Sequence, residues 1–277
     1  MAKPIIFADN IEVTYNAGKS NEFRAIKGET VEIFSREYIV LFGPSGCGKS
    51  TLMYSVLGAL PPSAGTMYIK GEDIYSYDAL GIVEYQRATV GIIYQKFNLI
   101  PSISVLDNVA LPAIFRSVPQ RQREQLAQNL LARFGVPDIG WKLPNSLSGG
   151  QQQRVAVARS LVNDPEILLA DEPVGNLDSI ASDQVMDMLD DVNQNGKKTI
   201  ILVTHDAKYL PRAHRIYYLK DGLVERIVVN PEREQIKRVK PGETIVTELE
   251  RLSRMYPYIT PQELRVKSAV NYLTQNL

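Results

Sequence analysis

Gly43-Pro44-Ser45-Gly46-Cys47-Gly48-Lys49-Ser50-Thr51 is the stretch that decides the fold. It follows the apolar run Tyr38-Ile39-Val40-Leu41-Phe42 and precedes a helical pattern over residues 52–57. Strand, glycine-rich loop and helix in that order are the context of a phosphate-binding P-loop. Glycines let the backbone close tightly and turn successive N–H groups inward. The first turn of the helix adds its own unpaired N–H groups and the positive end of its dipole. In such a loop Lys49 is placed to reach the β- and γ-phosphates, and the Ser50 hydroxyl to ligate Mg²⁺. The ligand class implied is a nucleoside triphosphate.

Composition narrows the setting. A chain of 277 residues builds one large domain or two small ones. Its 31 basic side chains balance 31 acidic ones, so bulk charge gives no attraction to nucleic acid, and none is expected as a partner. No apolar run approaches the roughly 20 residues that span a bilayer, and the first five residues lead into a strand pattern without a signal-peptide core. The single cysteine cannot form an internal disulfide. A reducing, cytosolic setting is expected.

Outward from the loop, residues 5–15 alternate and read as a strand, with a polar loop to residue 22 and a second strand over 30–34. Residues 38–42 are apolar throughout, the mark of a strand buried on both faces. The helix after the loop should stop near Gly58, because Pro61 and Pro62 bar its continuation. Residues 66–70 read as a short strand with a turn after it, and 89–95 as a strand ending on Gln95. The middle third changes to helical periodicity over 105–115 and 120–134. In the second of these, Leu126, Leu130, Leu131 and Phe134 share one face, with Pro119 before it and Gly135 after it. Strand signals return at 166–170 and 198–204, separated by a helix over 182–193. A hairpin is expected over 216–219 and 223–229, around Asp221-Gly222. Alternating strands and helices predict an α/β fold with a largely parallel sheet. From Asn230 the chain turns polar and charged. Helices are expected there over 244–255 and 261–273, the second capped by Thr260.

Two further constellations carry chemistry. Asp171-Glu172 closes the apolar run 166–170. Asp171 suits the second Mg²⁺ carboxylate of P-loop nucleoside triphosphatases, reached through water, and Glu172 is the candidate general base for an attacking water. Leu147-Ser148-Gly149-Gly150-Gln151 opens another helix, whose first-turn N–H groups form a second anion site. Lys49 and Ser148 stand 99 positions apart in the chain. One γ-phosphate does not easily need both from one subunit. A two-fold dimer with ATP between each P-loop and the partner's serine-glycine loop resolves this.

With those residues in view, the chain resembles an ABC transporter ATPase subunit over about residues 4–229. Gly43 to Ser50 matches the Walker A motif, residues 167–171 with Glu172 match Walker B, and Leu147 to Gln151 is the family signature as it stands. Gln95 matches the Q-loop glutamine, Asn176-Leu177-Asp178 the D-loop, His205 the switch histidine and Tyr15 the aromatic that stacks on adenine. The stretches 91–101, 105–109 and 171–179 look most like the branch serving macrolide export, lipoprotein release and cell division. Val174 departs from that branch's usual Thr, and Gln151-Gln152-Gln153 from its more charged signature tail.

The resemblance implies a P-loop core with an N-terminal antiparallel β subdomain, a helical insertion over about 96–162 and a C-terminal appendage over 230–277. It implies ATP and Mg²⁺ as cofactors, with Gln95 joining Ser50 and Asp171 at the metal, His205 at the γ-phosphate and Glu172 as the base. It also implies a homodimer serving a separate integral membrane permease from the cytoplasmic face of the membrane. Three jobs fit it: an export or extraction motor, a mechanical regulator of the cell-division type, and a soluble ABC ATPase. The Cys47 thiol is expected to be shielded from alkylation by bound ATP. His214 matches no motif and is read as structural or exposed.

Overall fold

The computed structural model describes residues 3–231 and 233. In chain order it contains β1 (Ile6–Tyr15), β2 (Phe23–Ile33), β3 (Tyr38–Phe42), α1 (Lys49–Val56), β4 (Ala64–Ile69), β5 (Glu72–Asp73), α2 (Ala79–Ala88) and β6 (Val90–Ile93). There follow α3 (Val105–Ile114), α4 (Gln120–Arg133), α5 (Gly149–Leu161), β7 (Ile167–Asp171), α6 (Ser179–Gln194), β8 (Thr199–Thr204), β9 (Arg215–Lys220) and β10 (Leu223–Val229).

The strands form two sheets. β2-β1-β4-β5 is antiparallel, and β10-β9-β3-β8-β7-β6 is parallel except for the β9–β10 hairpin. The composition of β3, β7 and β8 explains their central place. Each is an apolar run with almost every side chain buried, as a strand covered on both faces requires. β1 instead alternates buried and exposed positions, as a strand with one wet face does. α1 sits in the core through Leu52, Met53 and Val56, beside Ile39, Leu41, Leu169 and Val203. Away from the sheets, α3, α4 and α5 pack on one another through Val109, Ala113, Leu130, Leu131, Val155 and Ala158, all buried. The α/β architecture, with its antiparallel subdomain and helical insertion, is thus present.

Local details depart from expectation. The second strand runs over Phe23–Ile33 rather than 30–34. Charged residues and Gly28, at φ +92°, mask its periodicity where it pairs with β1. α2 had no sequence signal, since only Tyr85 of its ten residues is buried. Asp78 caps it, accepting from the Gly81 N–H at 2.7 Å. α6 starts three residues earlier than expected, because Asp178 accepts from the Ala181 N–H at 2.9 Å and serves as its cap. β6 ends at Ile93, so Gln95 lies beyond the strand. The hairpin forms as expected, with Asp221 at φ +51° and Gly222 at φ +81°, the conformation that favours glycine and aspartate in tight hairpin turns. The helices expected over 244–255 and 261–273 lie outside the described residues.

His214 is structural. Its ring Nδ1 accepts from the Tyr38 backbone N–H at 2.9 Å, and the His214 backbone N–H donates to the Tyr38 carbonyl at 2.8 Å. Burial pushes the imidazole pKa below its ordinary value, and the nearby Arg233 guanidinium adds to this against Glu37 and Asp190. In the unfolded chain the ring takes a proton near pH ~6.5, while the folded chain resists it. The contribution to stability is therefore complete above that pH. It falls as the pH drops through it, and levels off once the folded ring also protonates. Urea midpoints at pH 7 and pH 5 check this. The wild type should lose more stability on acidification than His214→Gln, whose amide oxygen keeps an acceptor without titrating. Equal losses would contradict the assignment.

Candidate functional site

Sheet register gathers the predicted residues. Phe42 pairs with Thr204, Val203 with Asp171, and Ala170 with Ile93. The loop after β3, His205 after β8, Asp171-Glu172 at the end of β7 and Gln95 after β6 therefore emerge along one carboxyl edge. That edge is where open parallel sheets hold their ligands.

The loop itself is built by steric exclusion. A Cβ on Gly43 would lie 2.1 Å from the Leu219 carbonyl oxygen, and one on Gly48 2.6 Å from that of Ala25. Gly46 and Gly48 take φ of +80° and +104°. Pro44 and Ser45 are exposed at the crown. Lys49 is buried, and its Nζ donates to the carbonyls of Gly43 at 2.7 Å and Pro44 at 2.8 Å, which fixes the ammonium at the loop. Cys47 corrects one expectation. Its thiol is buried with the core, next to Gly43 and 3.9 Å from Lys49 Nζ, so slow alkylation follows from burial with or without nucleotide.

Asp171 takes two hydroxyl donors, from Ser50 Oγ to Oδ1 at 3.0 Å and from Tyr54 to Oδ2 at 3.0 Å. Partial burial, then the Asp171 charge and hydrogen bond, push the Tyr54 phenol up to about 12. Glu172 bonds to His205 Nδ1 through Oε1 at 2.9 Å and accepts from Gln95 Nε2 through Oε2 at 3.2 Å. Its backbone stands at φ +43°, a costly conformation for a non-glycine residue and one that gathers at functional sites. Asn176 Nδ2 donates to the Gln95 carbonyl at 3.0 Å. Arg159 holds the same segment from α5, donating to the carbonyls of Asn98 at 2.6 Å and Phe97 at 2.8 Å. Tyr15 is exposed at the end of β1, with its hydroxyl 3.3 Å from Thr51 Oγ1. It thus overhangs the first turn of α1.

Ser148 caps α5 in a capping box with Gln151. The Gln151 N–H donates to Ser148 Oγ at 3.3 Å, and the Ser148 N–H to Gln151 Oε1 at 3.1 Å. Gly149 and Gly150 lie against Leu177 and Ala181, so the starts of α5 and α6 sit side by side, with Ser148 and Asp178 lining the cleft between them. Among the described residues, no hydrogen bond joins 147–151 to 43–51. The predicted residues thus divide into one cluster at the sheet edge and one at the α5–α6 cleft.

The sheet-edge cluster fits a magnesium nucleotide. Its cradle has no room for a side chain at Gly43 or Gly48, its ammonium is fixed, and Ser50 and Asp171 present oxygen donors alone. Among the described residues, no three His, Cys, Asp or Glu side chains gather into a metal-holding group. A cation that keeps its waters and takes phosphate oxygens needs few protein ligands.

A family model described as ABC transporter matches residues 26–175. The chain belongs to the ABC transporter family. It is 40% identical over 225 residues to the macrolide export ATP-binding/permease protein MacB of Hyphomonas neptunium, covering 81% of this chain and 34% of that protein. It thus spans about a third of the length of that relative. It is 38% identical over 219 residues to the uncharacterized ABC transporter ATP-binding protein YknY of Bacillus subtilis, covering 79% of this chain and 94% of that one. A solved ATP-binding cassette, described as a dimer in a post-hydrolysis state bound to ADP and Pi, superposes with a TM-score of 0.76. It is 36% identical and covers 83% of this chain and 100% of its own. The curated relatives it resembles also include the pyoverdine export ATP-binding/permease protein PvdT of Pseudomonas putida, 40% identical over 225 residues.

Two contributions to the cassette's site escaped sequence reading, the Tyr54 hydroxyl and the contact of the hairpin-turn Gly222 with the P-loop. The Gly222 N–H donates to the Cys47 carbonyl at 3.2 Å, and its carbonyl accepts from the Lys27 N–H at 3.1 Å, so the hairpin tip stitches the P-loop to β2. A Cβ there would stand 2.7 Å from the Ala25 carbonyl oxygen. Gly222→Val should destabilise the fold by about 1–3 kcal/mol through left-handed strain and weaken nucleotide binding as the loop shifts. Chemical denaturation and nucleotide titration of the variant check both. Wild-type values would refute the stitch.

Proposed function

We propose that the chain binds and hydrolyses ATP as the motor of a membrane permease that exports a substrate or extracts it from the membrane. The observation that carries the reading is the cluster at the sheet edge. A phosphate cradle, a hydroxyl–carboxylate pair and a Glu172 engaged by His205 and Gln95 share one ledge. Lys49 and the loop N–H groups, with Ser45 at the crown and Thr51 in the first turn of α1, bind the phosphates, and Tyr15 stacks on the base. Mg²⁺ would be held by Ser50, Gln95 and, through water, Asp171, and supplies charge neutralisation at the phosphates. Glu172 accepts the proton of the attacking water, and His205 holds the γ-phosphate side of that water in place.

The second cluster completes the site in a two-fold dimer. Ser148, the N–H groups of Gly149 and Gly150, and Gln151 close on the γ-phosphate held by the other subunit, and Asp178 lies at the seam. Hydrolysis removes that bridge, so closure follows the nucleotide. The dimeric state described for the solved cassette supports this arrangement. The printed names of the macrolide and pyoverdine export relatives support export. Among the described residues no helix is long and apolar enough to cross a membrane, and the reading gives the permease to another segment or chain. It places this domain, about residues 4–229, at the cytoplasmic face of the membrane with the insertion toward the permease.

Glu172→Gln should still bind ATP, lose turnover by about 10²–10⁴-fold and accumulate as a closed dimer in ATP, read by light scattering. Capture of that trapped form from detergent-extracted membranes should return an integral membrane protein. Undiminished turnover contradicts the base assignment, and recovery of soluble proteins or nucleic acid alone contradicts the permease.

A further inference from the structure

Asp171 is held at both of its oxygens by one helix. Ser50 and Tyr54 stand four residues apart on α1 and so share a face. The Ser50 hydroxyl meets Oδ1 at 3.0 Å and the Tyr54 hydroxyl meets Oδ2 at 3.0 Å. A carboxylate at the end of a strand is otherwise free to rotate about its last bond. Here, two donors on opposite oxygens fix the plane of the group as well as its place. The Tyr54 ring packs against the core cluster, half-buried, so the phenol itself is anchored. Neither the motif nor the resemblance assigns position 54 a role.

We infer that Tyr54 is a positioning residue for the metal half of this site: its phenol orients Asp171 and so sets the affinity for Mg²⁺ rather than for the nucleotide. The inference rests on the magnesium-nucleotide reading proposed above. Ser50 can give its proton to Oδ1 while a lone pair of its oxygen faces a cation. Tyr54 occupies Oδ2, on the far side of the carboxylate. Oδ1 thereby stays directed at the Ser50 side, where a metal-bound water needs an acceptor. Removing the phenol leaves the carboxylate anchored at one oxygen. The phosphate contacts of Lys49 and the loop N–H groups do not involve Asp171 and should persist.

Tyr54→Phe keeps the ring and its packing and deletes only the hydroxyl. Binding of a non-hydrolysable ATP analogue is measured by calorimetry, first in EDTA and then across a Mg²⁺ titration. The expected result is unchanged affinity in EDTA, with the half-saturating Mg²⁺ concentration raised roughly tenfold, the scale of one hydrogen bond to a charged acceptor. A second comparison isolates the route. In an Asp171→Asn background, Tyr54→Phe should add no further loss of Mg²⁺ affinity. Three results overturn the inference: an unchanged Mg²⁺ requirement, an equal loss of affinity in EDTA, or a full additional loss in the Asp171→Asn background. If the wild type binds the analogue with no Mg²⁺ dependence at all, the magnesium-nucleotide reading fails along with it.

Discussion

β3, β8 and β7 run parallel in one unbroken register, and the positions of the P-loop, His205, Asp171 and Glu172 depend on it. Phe42 stands opposite Thr204, and Val203 opposite Asp171, so a glycine loop, a histidine and two carboxylates leave the sheet together. A slip of one residue would turn Asp171 to the other face of the sheet. The register is secured by burial. Leu41, Leu168, Leu169, Leu202 and Val203 are all closed to solvent on one face or the other, so the strands that carry the site also build the core. The core and the site are thus held by the same constraint.

The P-loop adds a second level of constraint, from steric exclusion. β9 and β2 press on the loop so closely that Gly43 and Gly48 have no room for a Cβ. The Gly222 stitch then ties the antiparallel sheet to the loop through two backbone hydrogen bonds. The small sheet that carries Tyr15 and the large sheet that carries Asp171 are thereby joined beneath one phosphate cradle. Tyr54 belongs to the same pattern, since α1 presents hydroxyls to Asp171 from two successive turns.

What was legible in the sequence was what is written locally. The P-loop, the Asp171-Glu172 pair and the helix opening at Ser148 each fit within a few residues, where an apolar run meets glycine or charge. The central strands were legible because burial on both faces leaves an unbroken apolar run. α2 was not, because a helix that buries little beyond Tyr85 has no stripe to read. The length of β2 was hidden by Gly28 and by charges on its wet face. Gly222 was legible as a hairpin turn, but its hold on the P-loop and the role of Tyr54 were not, since their partners are far along the chain: Asp171 lies 117 positions from Tyr54. Gln95, read as the end of a strand, instead stands beyond it, held through its carbonyl by Asn176 and through its amide on Glu172.

The proposed dimer turns on a separation within one chain. The Ser148 cluster lines a cleft between α5 and α6, apart from the hydrogen-bonded cluster of the P-loop edge. The measurement that tests a shared site most directly is ATP hydrolysis by mixed variants. Lys49→Ala removes one subunit's phosphate grip, and Ser148→Arg blocks the other cluster. If each site is built from two chains, neither variant hydrolyses ATP alone, but their mixture regains activity, because one site in each mixed dimer joins an intact P-loop to an intact signature loop. If the mixture stays as inactive as its components while both variants remain folded, the site is not shared, and the composite account is wrong.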